Sequence, residues 1–237
     1  MKYNGVDNVP TVNTIKSLNA MLHSMCGIET VEYMGKMGHR YFVNSLADLI
    51  AQEAANPRIS AHLEYLPCDG GGQVGNAAEA NKWLREVDPS LATPMIRLRA
   101  AQDFYVFEPA LLTDRTVCMP IRWFRRGSTR YAHACDEDVE HRRLSTWTRT
   151  DATKPNPRRV QASGAEVLAF PIWLYCDDTS GNLSKKWNKH NSFLFTPVGL
   201  PRSLGHEEFN VHFLATSNTA PVTEMLDGIV DQVKYVV

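Results

Sequence analysis

The chain has 237 residues, 43% of them hydrophobic and 22% charged, with a formal net charge of -1. That balance describes a globular protein and excludes disordered, fibrous and strongly polybasic classes. A preference for nucleic acid or any other anion must then come from a local patch, because the whole molecule carries almost no field.

No stretch reaches the roughly 20 apolar residues that span a bilayer, and the opening MKYNGVDNVPTV has no apolar signal-peptide core. The five cysteines, Cys26, Cys68, Cys118, Cys135 and Cys176, are odd in number, and none forms a CxxC pair. Scattered thiols of this kind fit a reducing compartment. An intracellular location, nuclear or cytoplasmic, with no membrane partner is the expectation.

The first predicted helix runs over 11–25, where Ile15, Leu18, Leu22 and Met25 share a face and Gly27 supplies a stop. A second begins at Ser45, where S-x-x-D to Asp48 reads as a capping box; Phe42, Leu46, Leu49 and Ile50 fall at helical spacing and Pro57 ends it. Cys68-Asp-Gly-Gly-Gly72 is a loop, and a third helix is expected over 76–87 with Ala80, Trp83 and Leu84 inward.

AQDFYVFE (101–108) and VCMPIRWF (117–124) are rich in aromatic and β-branched residues and read as strands, with Pro120 marking an edge or a bulge. From 127 to 163 periodicity is lost, and the stretch is expected to be an irregular loop or linker. VLAFPIWLYC (167–176) is a nearly continuous apolar run, read as a buried strand whose pairing starts after Pro171. SFLFT (192–196) and FNVHFLA (209–215) are two more strands, and a helix follows Pro221 with Met225, Leu226, Ile229, Val230 and Val233 as its stripe.

Three groups of residues invite chemistry. Asp177 and Asp178 stand at the end of the apolar run, where a rigid strand can present a carboxylate to a hard cation such as Mg²⁺; the same residues also begin a turn-forming sequence, DDTSGN. Lys185, Lys186 and Lys189 flank Trp187 in a segment, 179–205, that holds no acid, which suits a phosphate backbone or a solvated face. Arg122, Arg125 and Arg126 interleave with Trp123 and Phe124, and Arg158 and Arg159 follow a Pro-Asn-Pro turn, so these too are candidate nucleic-acid contacts. His206-Glu-Glu208 lacks the i+4 histidine of a zinc protease, and no phosphate-binding or nucleophile-elbow motif occurs. His212 reads as a packed or edge histidine, and Cys176 as a small buried hydrophobe.

The block WLYCDDTSGNLSKKWNKHNSFLFTPVGLPRSLGHEEFNVHFLATSNTAPVTEMLDGIV resembles uncharacterised, transposon-derived proteins of mushroom-forming fungi. The phrases GVDNVPTV, AQEAANPRI, KWLREVDPSLATPMIR, QDFYVFEPALL and PIRWFRR extend that likeness over most of the chain. The C-terminal order of strand, acid, turn, basic stretch, strand, strand and helix is also similar to the early catalytic region of CACTA-type transposases. That resemblance implies an RNase H-like fold in which Asp177 or Asp178 closes the first strand, Asn182 lies in the next turn, and Phe193–Thr196 and Val211–Ala215 are the second and third strands. Such folds draw their other acids from a later strand and helix, which residues up to 237 do not reach.

The expected fold is therefore α+β. A helical and strand-containing region spans 1–126, a linker 127–163, and a three-stranded sheet plus helix, an incomplete RNase H-like unit, 164–237. The expected function is a transposase-derived protein or fragment that binds DNA through the basic residues, with Asp177 and Asp178 vestigial catalytic or partial Mg²⁺ ligands. Self-association through an open sheet edge is expected to accompany it. Two alternatives stay open: a protein-interaction module with no DNA contact, and a small metal-dependent hydrolase in which Asp177, Asp178 and His206 converge.

Overall fold

The computed structural model describes residues 10–72, 74–98, 102–111, 115, 117–134, 137–138, 143–144, 154–178 and 190–234. Helix α1 (Val12–Cys26) starts where the Thr11 hydroxyl accepts the Thr14 N–H at 3.1 Å and ends on Gly27, which takes the left-handed conformation at φ 65°. A hairpin follows, β1 (Thr30–Met34) and β2 (Arg40–Asn44), and then α2 (Leu46–Ala55). The Ser45 hydroxyl caps α2 by accepting the Asp48 N–H at 3.2 Å; the Asp48 carboxylate turns to the Glu29 N–H instead of closing a box.

Short strands fill the middle: β3 (Met95–Leu98), β4 (Gln102–Tyr105), β5 (Ala110–Leu111), β6 (Val117–Cys118), β7 (Pro120–Arg126), β8 (Thr129–Ala134), β9 (Glu137–Asp138) and β10 (Arg143–Leu144). They pair as antiparallel hairpins in chain order. Then come α3 (Pro157–Ala162), β11 (Ile172–Asp178), β12 (Asn191–Pro197), α4 (Arg202–Gly205), β13 (His212–Ser217) and α5 (Val222–Lys234).

The chain divides into two compact units, and each is made from separated stretches. The first comprises Met1–Asn56, Leu174–Phe195 and His212–Val237. Its frame is a five-stranded sheet in the order β1-β2-β13-β12-β11, so the N-terminal hairpin extends the three C-terminal strands. Tyr41 and Val43 of β2 alternate inward while Phe42 points out, 45% exposed. Val43, Leu214, Met225 and Ile229 are almost fully buried and form the sheet-to-helix core with Leu46 and Leu49. Burying each such side chain is worth roughly 1.5–3 kcal/mol.

The second unit comprises Pro57–Trp173 and Thr196–Val211. Ile96, Val106 and Trp123 make one buried cluster; Met95, Tyr105 and Ala162 make another, which ties α3 down; Cys68, Ala78, Trp83 and Val198 make a third. Gly199 has its carbonyl on the Glu64 N–H at 2.9 Å, and a side chain there would collide with the Glu64 backbone.

Several expectations are corrected. The stripe of α1 is not a core face: α1 has no buried residue, and Ile15, Leu18, Leu22 and Met25 are exposed. Phe42 belongs to β2, not to the second helix. The helix expected over 76–87 is two short turns, Ala77–Glu79 and Lys82–Glu86. Asn76 and Glu79 start the first with a capping box, and the turn ends at Ala80, whose backbone is extended. The stretch expected to be a linker contains β8 and α3, and the units do not divide there. The sheet has five strands, not three, and the supposedly buried strand 172–178 lies at its edge, exposed along almost its whole length, Cys176 included.

Candidate functional site

β11 ends in Asp177 and Asp178, and both are exposed. The Asp178 N–H donates to Asp177 Oδ1 at 2.8 Å. Consecutive strand residues point to opposite sides of a sheet. The two carboxylates therefore do not converge as a chelating pair, whereas Mg²⁺ gathers several oxygens at near-octahedral positions. Among the described residues no group of three or more His, Cys, Asp or Glu side chains is placed to hold a metal. His206, at the C-terminal end of α4, belongs to the other unit. Lys185, Lys186 and Lys189 lie outside the described residues.

The arginines of the second unit have definite partners. Arg122 is 4% exposed on β7. Its guanidinium donates to the carbonyls of Trp83 (3.1 Å), Arg85 (3.4 Å) and Val87, closing the open end of the Lys82–Glu86 turn. Burial pulls its pKa down, opposed by the Asp88 charge. Burial and those three carbonyls leave Arg122 no face for a phosphate. Arg125 grips Glu64 with two N–H groups, at 3.0 and 2.6 Å, and donates a third to the Gly127 carbonyl. Arg126 meets Asp69 at 2.5 Å and lies over the Tyr131 ring. That hydrogen bond holds the Asp69 carboxyl below the usual range.

Arg158 donates to the Ser90 carbonyl at 2.6 Å. Arg159 takes Glu108 in a fork, at 2.9 and 2.5 Å, and stacks 4.3 Å above the Tyr105 ring centre. Glu108 raises the Arg159 pKa further. Arg97, which the sequence did not single out, forms a similar fork on Asp103 at 2.6 and 2.7 Å and lowers the pKa of that carboxyl. Forked pairs with matched geometry hold strands in place, and an arginine already saturated by a carboxylate offers little to a phosphate.

One groove, of 490 Å³, opens among these groups, lined by Glu64, Tyr65, Arg97, Arg125, Arg130 and Glu166 with their neighbours. Arg130 donates to the Arg97 carbonyl at 2.6 Å. Charges of both signs line the groove, so it has no strong preference for an anion.

Residues 95–164 match the model of a domain of unknown function, DUF8591. The matched stretch holds the Arg97–Asp103 and Arg159–Glu108 forks whole, together with Arg122, Arg125 and Arg126. No curated protein and no solved structure matches the chain. Among the described residues no helix is long and apolar enough to cross a membrane.

Two charged sites in the first unit also escape a linear reading. Glu224 of α5 is buried, with its carboxylate taking the Met37 N–H and His39 Nδ1. Glu53 of α2 is buried beside His212 of β13, Oε1 to Nε2 3.3 Å. The available signal was a glutamate on the apolar face of α2, four residues after Leu49.

Proposed function

We propose that this chain is a protein-interaction module that works through the edge strand β11. The observation that carries it is exposure: Trp173, Leu174 and Tyr175 are 59%, 39% and 39% exposed on a strand at the border of the five-stranded sheet. Large apolar side chains on a sheet edge favour strand addition by a protein partner. A second copy of the chain is the partner to test first, because an antiparallel edge is complementary to itself about a two-fold axis. The partners of Arg122, Arg125, Arg126 and Arg159 support the same reading, since each of these guanidinium groups is already held by an acceptor within the chain. Sedimentation at rising concentration tests it: dimers are expected, and Tyr175→Pro should return the protein to monomer. A concentration-independent monomer, or dimers that persist in Tyr175→Pro, would count against it.

The transposase-derived reading draws support from one feature. With α4 set between β12 and β13, the strands β11, β12 and β13 and the helix α5 come in the order that an RNase H-like first half would have, with Asp177 and Asp178 closing the first strand. On that reading the acids are remnants of a metal site, and DNA contact falls to Lys185, Lys186 and Lys189. Duplex binding that weakens as salt rises would favour it. No binding at low salt would remove it.

A further inference from the structure

α2 is joined to the sheet by a contact that neither reading uses. The Glu53 side chain is 7% exposed and the His212 side chain 12% exposed, with Oε1 and Nε2 3.3 Å apart. They do not meet in hydrogen-bond geometry, and among the described residues both Glu53 Oε2 and His212 Nε2 are buried without a hydrogen-bond partner. The Phe195 ring covers the imidazole at 4.8 Å between centres. A full ion pair in so dry a place would have two charges stripped of water and no hydrogen bond to offset the loss.

We infer that Glu53 and His212 hold a single proton between them, carried on the Glu53 carboxyl beside a neutral imidazole, and that α2 loosens from the sheet when the pair gains or loses a proton. Burial acts on the two groups in opposite directions, pushing the Glu53 carboxyl up and the His212 imidazole down. Both shifts favour the neutral form of each partner.

The other charged groups on the surrounding elements are engaged elsewhere. On α2, Asp48 accepts the Glu29 N–H. On α5, Glu224 is held by Met37 and His39, Asp227 faces Lys36, and Asp231 faces Lys234 and the Tyr33 hydroxyl. On the β1–β2 hairpin, Arg40 faces Glu32. Neither the Glu53 nor the His212 shift has any cause other than burial.

The sign of the pH dependence follows from proton counts. Glu53, with its pKa raised on folding, loses its contribution as pH climbs above the free value of about 4.3. His212, with its pKa lowered, loses its contribution as pH falls below about 6.5. Between those values the two slopes cancel, because folded and unfolded chains each hold one proton in the pair. Above about 6.5 the glutamate slope stands alone, and below about 4.3 the histidine slope does.

The test is NMR on the whole chain. At pH near the middle of that plateau, His212 should show one protonated ring nitrogen, and the Glu53 carboxyl carbon should report the acid form. Hydrogen-exchange protection of the α2 amides should stay level across the plateau. It should then fall by up to about tenfold per pH unit on each side, the slope of one proton. Glu53→Gln should keep the acid-side fall and lose the alkaline one. An imidazolium facing a carboxylate at mid-plateau, or α2 protection indifferent to pH on both sides, would overturn the inference. The spectra of the unaltered chain decide the matter if the variant does not fold.

Discussion

The buried carboxylate of Glu224 lies 2.9 Å from His39 Nδ1, in the space that Gly35 leaves by having no side chain. A Cβ at position 35 would fall inside the carboxyl group. The turn of the β1–β2 hairpin thus closes around the first turn of α5, and the Tyr41 hydroxyl adds a 2.6 Å bond to the Glu224 carbonyl.

Gly35→Ala is therefore expected to destabilise the first unit by about 1–3 kcal/mol, the usual cost of forcing atoms into a filled site. Glu224→Ala should cost a similar amount by leaving the Met37 N–H without an acceptor. Glu224→Gln should cost less, because its amide oxygen can still accept. Urea denaturation of the three variants gives the order.

Arg122→Met removes the donor that three backbone carbonyls share. Each orphaned buried acceptor costs about 1–3 kcal/mol, so the variant should be among the most damaging single changes in the second unit. Arg126→Met breaks an exposed pair and a contact with the Tyr131 ring, and should cost far less stability. If the two variants melt alike, the capping role assigned to Arg122 is wrong.

Acid should weaken the second unit through Asp69 and Asp103, whose carboxyls are held below the usual range chiefly by hydrogen bonds from Arg126 and Arg97. Their contribution is present above the free aspartate value, near about 4, and is lost as pH falls through their lower folded values. Denaturation midpoints followed down from pH 5 should drop, and Asp103→Asn should make that drop shallower.

The two helix caps should behave differently. Ser45→Ala unties α2, which carries buried Leu46 and Leu49, and should lower global stability by about 1 kcal/mol. Thr11→Ala unties α1, none of whose residues is buried. It should reduce helix content and leave the main unfolding transition in place. Circular dichroism and denaturant melts together separate the outcomes.

Local grammar was legible wherever the deciding interaction is local. The Thr11 and Ser45 caps, the Gly27 stop and the proline before α5 all act within four residues, and α1, α2 and α5 lie close to where the sequence places them. The β1–β2 hairpin was missed because Phe42 also fits the helical spacing that runs on into α2. Two short turns at 77–79 and 82–86 stand where one helix was predicted, because the backbone is extended at Ala80 between them.

The arginines show the other limit. Charge composition marked Arg122, Arg125, Arg126 and Arg159 as free to meet phosphate, yet the partners of the last three are Glu64, Asp69 and Glu108, between 51 and 61 residues away in the chain. Spacing along a chain carries no record of such meetings.

By itself, then, the sequence determined the helices α1, α2 and α5, the Thr11 and Ser45 caps, and the strand after Pro171. Only the tertiary structure decided which face of each element is dry. The run IWLYC is as apolar at a border as it would be at the centre of a sheet, and what makes β11 an exposed edge is the absence of a further strand beside it in the described sheet. Burial is a property of neighbours, and neighbours are chosen by the fold.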